Sequence, residues 1–255
     1  MALRIEDLAY TVNDRTILSE VSVAFEAGKF YGIVGPNGSG KTTLLRLLLQ
    51  LLLPDSGSVL LDEDALSRMK EKTRAKKLAF VPQMFHVDYS FSVRELVAMG
   101  RYPYLESLQK PTVEDMDIVE QALEQTDLLS FAEREVDSLS GGELQRVIIA
   151  RALAQDTSFI LLDEPLSHLD LYNQLEILRL LSRICKEQGK TVICVIHDLN
   201  LALRFCEQIV LLHKGHIFAQ GCTDVVLSEE NLREVFRVEG KRRELDGVPL
   251  IVFEG

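Results

Sequence analysis

Gly35-Pro36-Asn37-Gly38-Ser39-Gly40-Lys41-Thr42-Thr43 has the G-x-x-x-x-G-K-[ST] spacing of a phosphate-binding loop. The apolar run Phe30–Val34 before it reads as a buried strand. The leucine-rich run Leu44–Leu53 after it reads as a helix buried on most sides. The loop therefore opens a helix, which is the context the motif requires. Its glycines let the chain fold back so that successive backbone N–H groups point into one concavity. The helix start adds about half a positive charge aimed the same way. Lys41 is then placed to meet the β- and γ-phosphates of a nucleotide, and the Thr42 hydroxyl to hold Mg²⁺.

The 255 residues allow one or two domains, and 47% hydrophobic with 26% charged residues suits a globular chain with a sizeable core. A net charge of −11 argues against a nucleic-acid surface, which needs a basic footprint. The densest basic run, Lys70 to Lys77, is interrupted by Glu71 and reads as a solvated helical face. Met1 to Asp7 carries charge almost at once, so no signal peptide is expected there. Leu44–Leu53 is far short of the roughly 20 residues that span a bilayer. Membrane association is expected to come through a partner. Cys185, Cys194, Cys206 and Cys222 have no paired spacing and read as reduced thiols of a cytoplasmic protein.

Taken in order, residues 3–25 alternate apolar and polar on both sides of Val12-Asn13-Asp14-Arg15, a hairpin pattern. Tyr10, at the end of the first strand, fits either an aromatic stacked on adenine or an ordinary strand tyrosine. Strands are expected at 59–61 and 77–81. Gln83 follows the second of these past Pro82, and is a candidate to touch Mg²⁺ or an attacking water, or else a loop residue facing solvent. Ser92-Val93-Arg94-Glu95 has capping-box spacing, and Pro111-Thr112-Val113-Glu114 reads as a further helix start. Val113, Met116, Val119, Leu123 and Leu128 then follow a rough helical period.

Three later stretches carry chemistry. Leu139-Ser140-Gly141-Gly142-Glu143-Leu144-Gln145-Arg146 places an N-cap, Ser140, before paired glycines. It reads as a second anion-binding helix start without a lysine of its own, or simply as a capped helix, running to about Ala154. Phe159-Ile160-Leu161-Leu162-Asp163-Glu164 ends four apolar residues in two carboxylates, which are costly to bury unless they meet cations or water. Asp163 suits a Mg²⁺ role beside Thr42, and Glu164 a place near the γ-phosphate where it could polarise water. Ser167-His168-Leu169-Asp170 is a tight turn before a helix at 171–188. Thr191–Ile196 is a buried strand ending in His197, placed to hydrogen-bond a γ-phosphate. A hairpin over 209–219, a helix over 231–238 and an edge strand over 248–253 close the chain.

The ordered set Tyr10, Gly35–Thr43, Gln83, Leu139–Arg146, Phe159–Glu164, Ser167–Asp170 and His197 resembles the ATP-binding-cassette (ABC) ATPases over essentially the whole chain. The resemblance implies an α/β fold: a P-loop NTPase core with an antiparallel β subdomain and a helical signature subdomain. A single ABC ATPase domain would comprise residues 1–90 and 155–255 as RecA-like core plus β subdomain, and residues 91–154 as the helical subdomain. It implies roles as well. Tyr10 would stack on adenine, Gly35 to Thr43 would form the Walker A loop, and Asp163 would end Walker B. Thr42, Gln83 and Asp163 would hold Mg²⁺. Glu164 would be the general base, Gln83 the Q-loop amide and His197 the switch histidine. Ser140, Gly141, Gly142 and Asp170 would contact the nucleotide of a second copy packed head to tail, with two ATP molecules between the copies.

The segment Phe91–Pro103, with Ser167-His168-Leu169-Asp170-Leu171, is similar to the importer ATPases that serve iron–siderophore, haem and cobalamin permeases. Leu166 departs from that group, where a small polar residue is commoner. This resemblance implies a peripheral subunit on the cytoplasmic face of the plasma membrane. Its partners would be integral permease subunits and, indirectly, an extracytoplasmic substrate-binding protein. A groove around Met84–Tyr89 would grip a permease loop. Two other readings share the motifs: an ABC ATPase for zinc, manganese or an amino acid, and a non-transport ABC ATPase acting on DNA.

Overall fold

A computed structural model describes residues 1–85, 90–106 and 108–254. In chain order they form β1 (Ala2–Val12), β2 (Arg15–Glu26), β3 (Phe30–Val34), α1 (Lys41–Leu48), β4 (Ser56–Leu61), β5 (Asp64–Ala65), α2 (Glu71–Ala75), β6 (Leu78–Val81), α3 (Val93–Ala98), α4 (Val113–Gln125) and α5 (Gly141–Ala154). There follow β7 (Phe159–Leu162), α6 (Leu171–Gln188), β8 (Thr191–Val195), α7 (Leu199–Phe205), β9 (Gln208–His213), β10 (His216–Cys222), α8 (Thr223–Val226), α9 (Glu229–Asn231), β11 (Glu239–Leu245) and β12 (Val248–Glu254). The chain divides into two compact units, one of Met1–Arg68 with Thr191–Gly255 and one of Met69–Lys190. No described helix is long and apolar enough to cross a membrane.

In the first unit, Val12 lies opposite Arg15, so the β1–β2 hairpin turns on two residues. Both, Asn13 and Asp14, sit at positive φ (48° and 60°). That geometry suits Asn and Asp, and its twist matches that of the strands. The sheet runs β2-β1-β4-β5, antiparallel throughout. β3 differs in kind: all five of its residues are buried, the composition of a parallel strand covered on both faces. It pairs in parallel with both β8 and β9, and β10 returns antiparallel to β9.

The leucine-rich helix is shorter than its composition suggests. α1 stops at Leu48, Gln50 turns left-handed (φ 56°), and Leu51 and Leu53 are 60% and 70% exposed. Near the C-terminus one expectation holds and one does not. The edge strand expected over 248–253 is present as β12, paired with the charged strand β11 in a two-stranded sheet. In place of a helix over 231–238, α9 runs into a π-helical turn, Leu232–Phe236, which Arg237 ends at φ 59°.

In the second unit β6 and β7 pair in parallel, and the Asp163 N–H extends the ladder to the Val81 carbonyl (2.9 Å). α3, α4 and α5 pack on one another. Each begins with a capping box: Ser92 with Glu95, Thr112 with Asp115, Ser140 with Glu143. Such boxes satisfy helix N–H groups that otherwise have no partner. The basic run Lys70–Lys77 forms α2, which buries no residue. Tyr89, part of the groove named above, and residues 86–88 lie outside the described residues.

Among the described residues of the second unit, Arg101 and Asp115 form a buried ion pair. Arg101 donates from Nε to Asp115 Oδ1 (2.9 Å) and from Nη1 to the Ala154 carbonyl (2.8 Å), and its guanidinium lies 3.9 Å from the Tyr104 ring centre. The Thr112 backbone N–H, more than Arg101, holds the Asp115 carboxyl below its ordinary pKa. A depressed carboxylate contributes stability above its unfolded pKa of about 3.9 and loses it as pH falls through the lower folded value. Asp115→Asn should destabilise the protein by about 3 kcal/mol at neutral pH, because Arg101 stays buried without its counter-charge. Urea unfolding of this variant should also show a smaller loss of stability below about pH 4 than the parent does.

Candidate functional site: a phosphate cradle and a carboxylate cluster

In the first unit, β3 delivers the chain to the 35–43 loop. Gly35 (φ 151°) is wedged against the backbone: a Cβ there would lie 2.2 Å from the Leu212 carbonyl oxygen. Gly40 (φ 103°) is the N-cap of α1, and a Cβ there would lie 2.6 Å from Leu18 Cδ2. Between them the loop curls round Lys41, which is buried at 5% exposure. Its Nζ donates to the carbonyls of Gly35 (2.9 Å) and Pro36 (3.1 Å), so the ammonium is held inside the curve of its own loop.

Two features show that this loop fits a polyphosphate. α1 starts on a glycine with no side-chain cap and no acidic residue in its first turn, leaving the helix start to an external acceptor. Ser39 is buried, and its Oγ has no hydrogen-bond partner among the described residues. A buried hydroxyl without a partner is costly, and a phosphate oxygen would satisfy it. Asn37 and Gly38 are exposed at the loop tip, while Thr42 and Thr43 are half-buried in the first turn of α1.

Two more of the expected residues stand near this cradle. Tyr10 is half-buried and pairs across the hairpin with Leu18, so both lie on one face of the sheet. Leu18 is the nearest neighbour of Gly40, which brings that face to the start of α1. His197 is exposed past the end of β8, whose parallel neighbour is β3. With Ile33 opposite Val195, the loop and His197 leave the carboxyl ends of adjacent strands, where ligands gather in such sheets.

In the second unit Gln83 and the Asp163-Glu164 pair leave the carboxyl ends of β6 and β7, with Val81 opposite Leu162. Asp163 is buried at 2% exposure, and its carboxylate is a hard oxygen donor of the kind that suits Mg²⁺. Glu164 sits at φ 48°, a strained conformation for a residue that carries a Cβ. Gln83 Nε2 donates to Glu164 Oε2 (2.8 Å), and Ser167 Oγ donates to the same oxygen (3.3 Å). Leu166, the departure noted above, is buried at 7% exposure.

The second glycine-bearing helix start lies in the same unit. Ser140 and Gly141 are exposed, and Gly142 is buried. Ser140 gives both its N–H and its hydroxyl to Glu143 Oε2 (2.7 Å each). These bonds, with Arg134 at 3.9 Å, hold the Glu143 carboxyl below its ordinary pKa and keep it ionised. Asp170 caps α6 by accepting from the Asn173 N–H (2.8 Å). Asn173 carries no motif signal. Its one clue is its place three residues after Asp170, at the N–H that an N-cap accepts.

Three kinds of comparison bear on this arrangement. The family described as ABC transporter matches residues 18–167. The chain belongs to the ABC transporter family. Its relatives include the iron(3+)-hydroxamate import ATP-binding protein FhuC of Bacillus subtilis, 40% identical over 94% of this chain and 89% of that protein. The petrobactin import ATP-binding protein FpuD of Bacillus anthracis is 40% identical over 100% of this chain and 94% of that one. Among solved structures, the dimeric post-hydrolysis state of the cassette MJ0796, bound to ADP and Pi, superposes with a TM-score of 0.75. It is 30% identical, over 87% of this chain and 99% of that one. The fold of this ABC ATPase is thus a cassette fold, and the protein binds and hydrolyses ATP.

The cradle of this ABC ATPase depends on Gly40 being a glycine. Gly40→Ala should destabilise the protein by about 1–3 kcal/mol through left-handed strain and the clash with Leu18. It should also weaken ATP binding by about tenfold or more, the equivalent of some 1.4 kcal/mol. Thermal unfolding and titration with a fluorescent ATP analogue measure the two effects separately.

Proposed function

We propose that this ABC ATPase is the ATP-hydrolysing subunit of a membrane importer whose cargo is an iron–siderophore, haem or cobalamin. The observation that carries the proposal is similarity over nearly the whole chain to two import ATP-binding proteins for iron chelates. In this reading the chain dimerises and works beneath permease subunits, at the cytoplasmic face of the plasma membrane, with an extracytoplasmic binding protein supplying cargo. Met84, Tyr102 and Val113 are apolar and 68%, 57% and 78% exposed, which supports a permease contact made by the second unit.

The residues divide the work. Lys41 and the N–H groups of Gly38 to Thr43 meet the β- and γ-phosphates with fixed dipoles that need no reorganisation during the reaction. Tyr10 stacks on adenine. Thr42, Gln83 and Asp163 would hold Mg²⁺, which would supply positive charge to offset that of the phosphates. Glu164 takes the proton of the attacking water. Its Oε2 is oriented by Gln83 and Ser167, and the strained backbone at Glu164 supports a functional place for it. His197 hydrogen-bonds the γ-phosphate.

Ser140, Gly141, Gly142 and Asp170 serve the nucleotide held by a second copy packed head to tail. Supporting this, the helix start they form has no lysine, and Leu171 and Tyr172 beside Asp170 are 66% and 67% exposed. ATP then favours the closed dimer because its γ-phosphate touches both copies, and loss of that phosphate reopens it. The coupling cannot exceed the difference in ATP affinity between the two states.

Two outcomes test this. Glu164→Gln should bind ATP, lose roughly 10²–10⁴-fold in turnover and accumulate as a dimer in ATP; near-normal hydrolysis in a steady-state assay would remove Glu164 from the role. The complex with its permease, reconstituted in vesicles, should take up a ferric siderophore, haem or cobalamin only with ATP. Uptake of zinc, manganese or an amino acid in place of these would overturn the cargo assignment.

A further inference from the structure

Four contacts converge on one residue that no motif marks. The Asn173 N–H donates to Asp170 Oδ1 (2.8 Å), and Asn173 Nδ2 donates to Asp170 Oδ2 (3.0 Å). Arg146 Nη2, on α5, donates to Asn173 Oδ1 (3.2 Å). The amide also fills the space over Gly142: a Cβ on that glycine would lie 2.7 Å from Asn173 Cγ and Oδ1 and 2.9 Å from Nδ2. A methyl group cannot occupy that position while the amide stays. Gly142 is therefore a glycine for a reason internal to this chain, whatever its backbone does for a nucleotide.

The amide is used at both ends. Its oxygen faces the cation of one helix and its nitrogen faces the anion that caps the other. Both charged partners polarise it in the same sense, which makes these the stronger class of hydrogen bond. Aspartate in its place would set two carboxylates against each other, and leucine would leave both charges without it. The starts of α5 and α6 are thus tied through a single planar group.

We infer that Asn173 is a positioning residue that holds the Gly141-Gly142 helix start and Asp170 in fixed register, so that the two act on the partner copy's nucleotide as one piece. The inference rests on the shared-nucleotide reading above. Without Asn173 each helix start keeps its own cap, Ser140 with Glu143 and Asp170 with the backbone N–H of residue 173, but their relative placement is loosened. The defect falls on dimer closure and not on the first binding of ATP, because the 35–43 loop belongs to the other compact unit.

The experiment uses the full chain carrying Glu164→Gln, with Mg²⁺ and ATP. Five samples are compared: this variant alone; the same chain with Asn173→Ala or with Asn173→Asp, which keeps the side-chain shape; and the first two of these with Gly142→Ala added. Sedimentation reads the dimerisation constant, and a fluorescent ATP analogue reads affinity at concentrations where the chain is monomeric. Both Asn173 variants should weaken dimerisation by roughly tenfold or more, about the worth of one hydrogen bond to a charged group, with monomer ATP affinity changed less than about twofold. Adding Gly142→Ala should cost the Asn173→Ala chain less than it costs the chain with Asn173 intact, since the obstructing amide is gone. Dimerisation unchanged in both Asn173 variants overturns the inference and leaves the shared-nucleotide reading standing. Parallel loss of dimerisation and monomer ATP affinity overturns it as well, because that is the mark of a general structural defect. If Glu164→Gln alone forms no dimer in ATP, the shared-nucleotide reading fails, and this inference with it.

Discussion

The first four N–H groups of an α-helix have no partner within it, and the structure depends on what each helix does about that. α3, α4, α5, α6 and α7 all begin with a side chain that accepts from the first turn. α1 begins on Gly40, with no side chain to do so. It is the helix that follows the buried strand β3 and carries Lys41. A tight glycine turn, a buried lysine folded back on the loop carbonyls and a hydroxyl without a partner together make a concavity set for anionic oxygens. Fixed dipoles of this kind need no rearrangement when charge shifts during phosphoryl transfer.

The start of α5 is an instructive contrast. It has the glycines of an anion site but is already capped by Ser140 and Glu143. An ionised carboxylate at its third position opposes a second anion, and Arg134 at 3.9 Å offsets this only in part. Alone, such a helix end makes a poor phosphate site. Its chemistry suits one corner of a site whose cation comes from elsewhere, which is what the proposed pairing of two copies supplies.

Strain and packing mark the same places. Glu164 and His168 hold left-handed φ values on either side of Pro165 and buried Leu166. Such conformations cost on the order of 1 kcal/mol each and persist only where the surroundings over-determine them. Here the surroundings are the carboxyl ends of β6 and β7 and the capped start of α6. The Arg101–Asp115 pair and the three capping boxes hold α3, α4 and α5, the last of which carries Gly141 and Gly142.

Much of this was legible in the sequence because its causes are local. Asn13-Asp14 specifies a tight hairpin, the S-x-x-E spacings specify helix starts, and four apolar residues before Asp163 specify a buried strand. Elements governed by more distant partners were not legible. Leucine content extended α1 past Leu48, although Leu51 and Leu53 face solvent. β11, rich in charge, is a strand only because β12 pairs with it. α7 is short and follows an aspartate that reads like any other. The candidate site residues stood out as motifs of type and spacing, while their neighbours did not. Nothing in the one-dimensional pattern says that Gln83 reaches Glu164, 81 residues away, or that Asn173 rests on Gly142. Sequence by itself determined which segments could be helix, strand or phosphate loop, since propensity, capping and period act over a few residues. Only the tertiary structure decided which polar groups meet, since hydrogen bonds between distant residues exist only once the packing of strands and helices has brought their donors and acceptors within 3 Å or so.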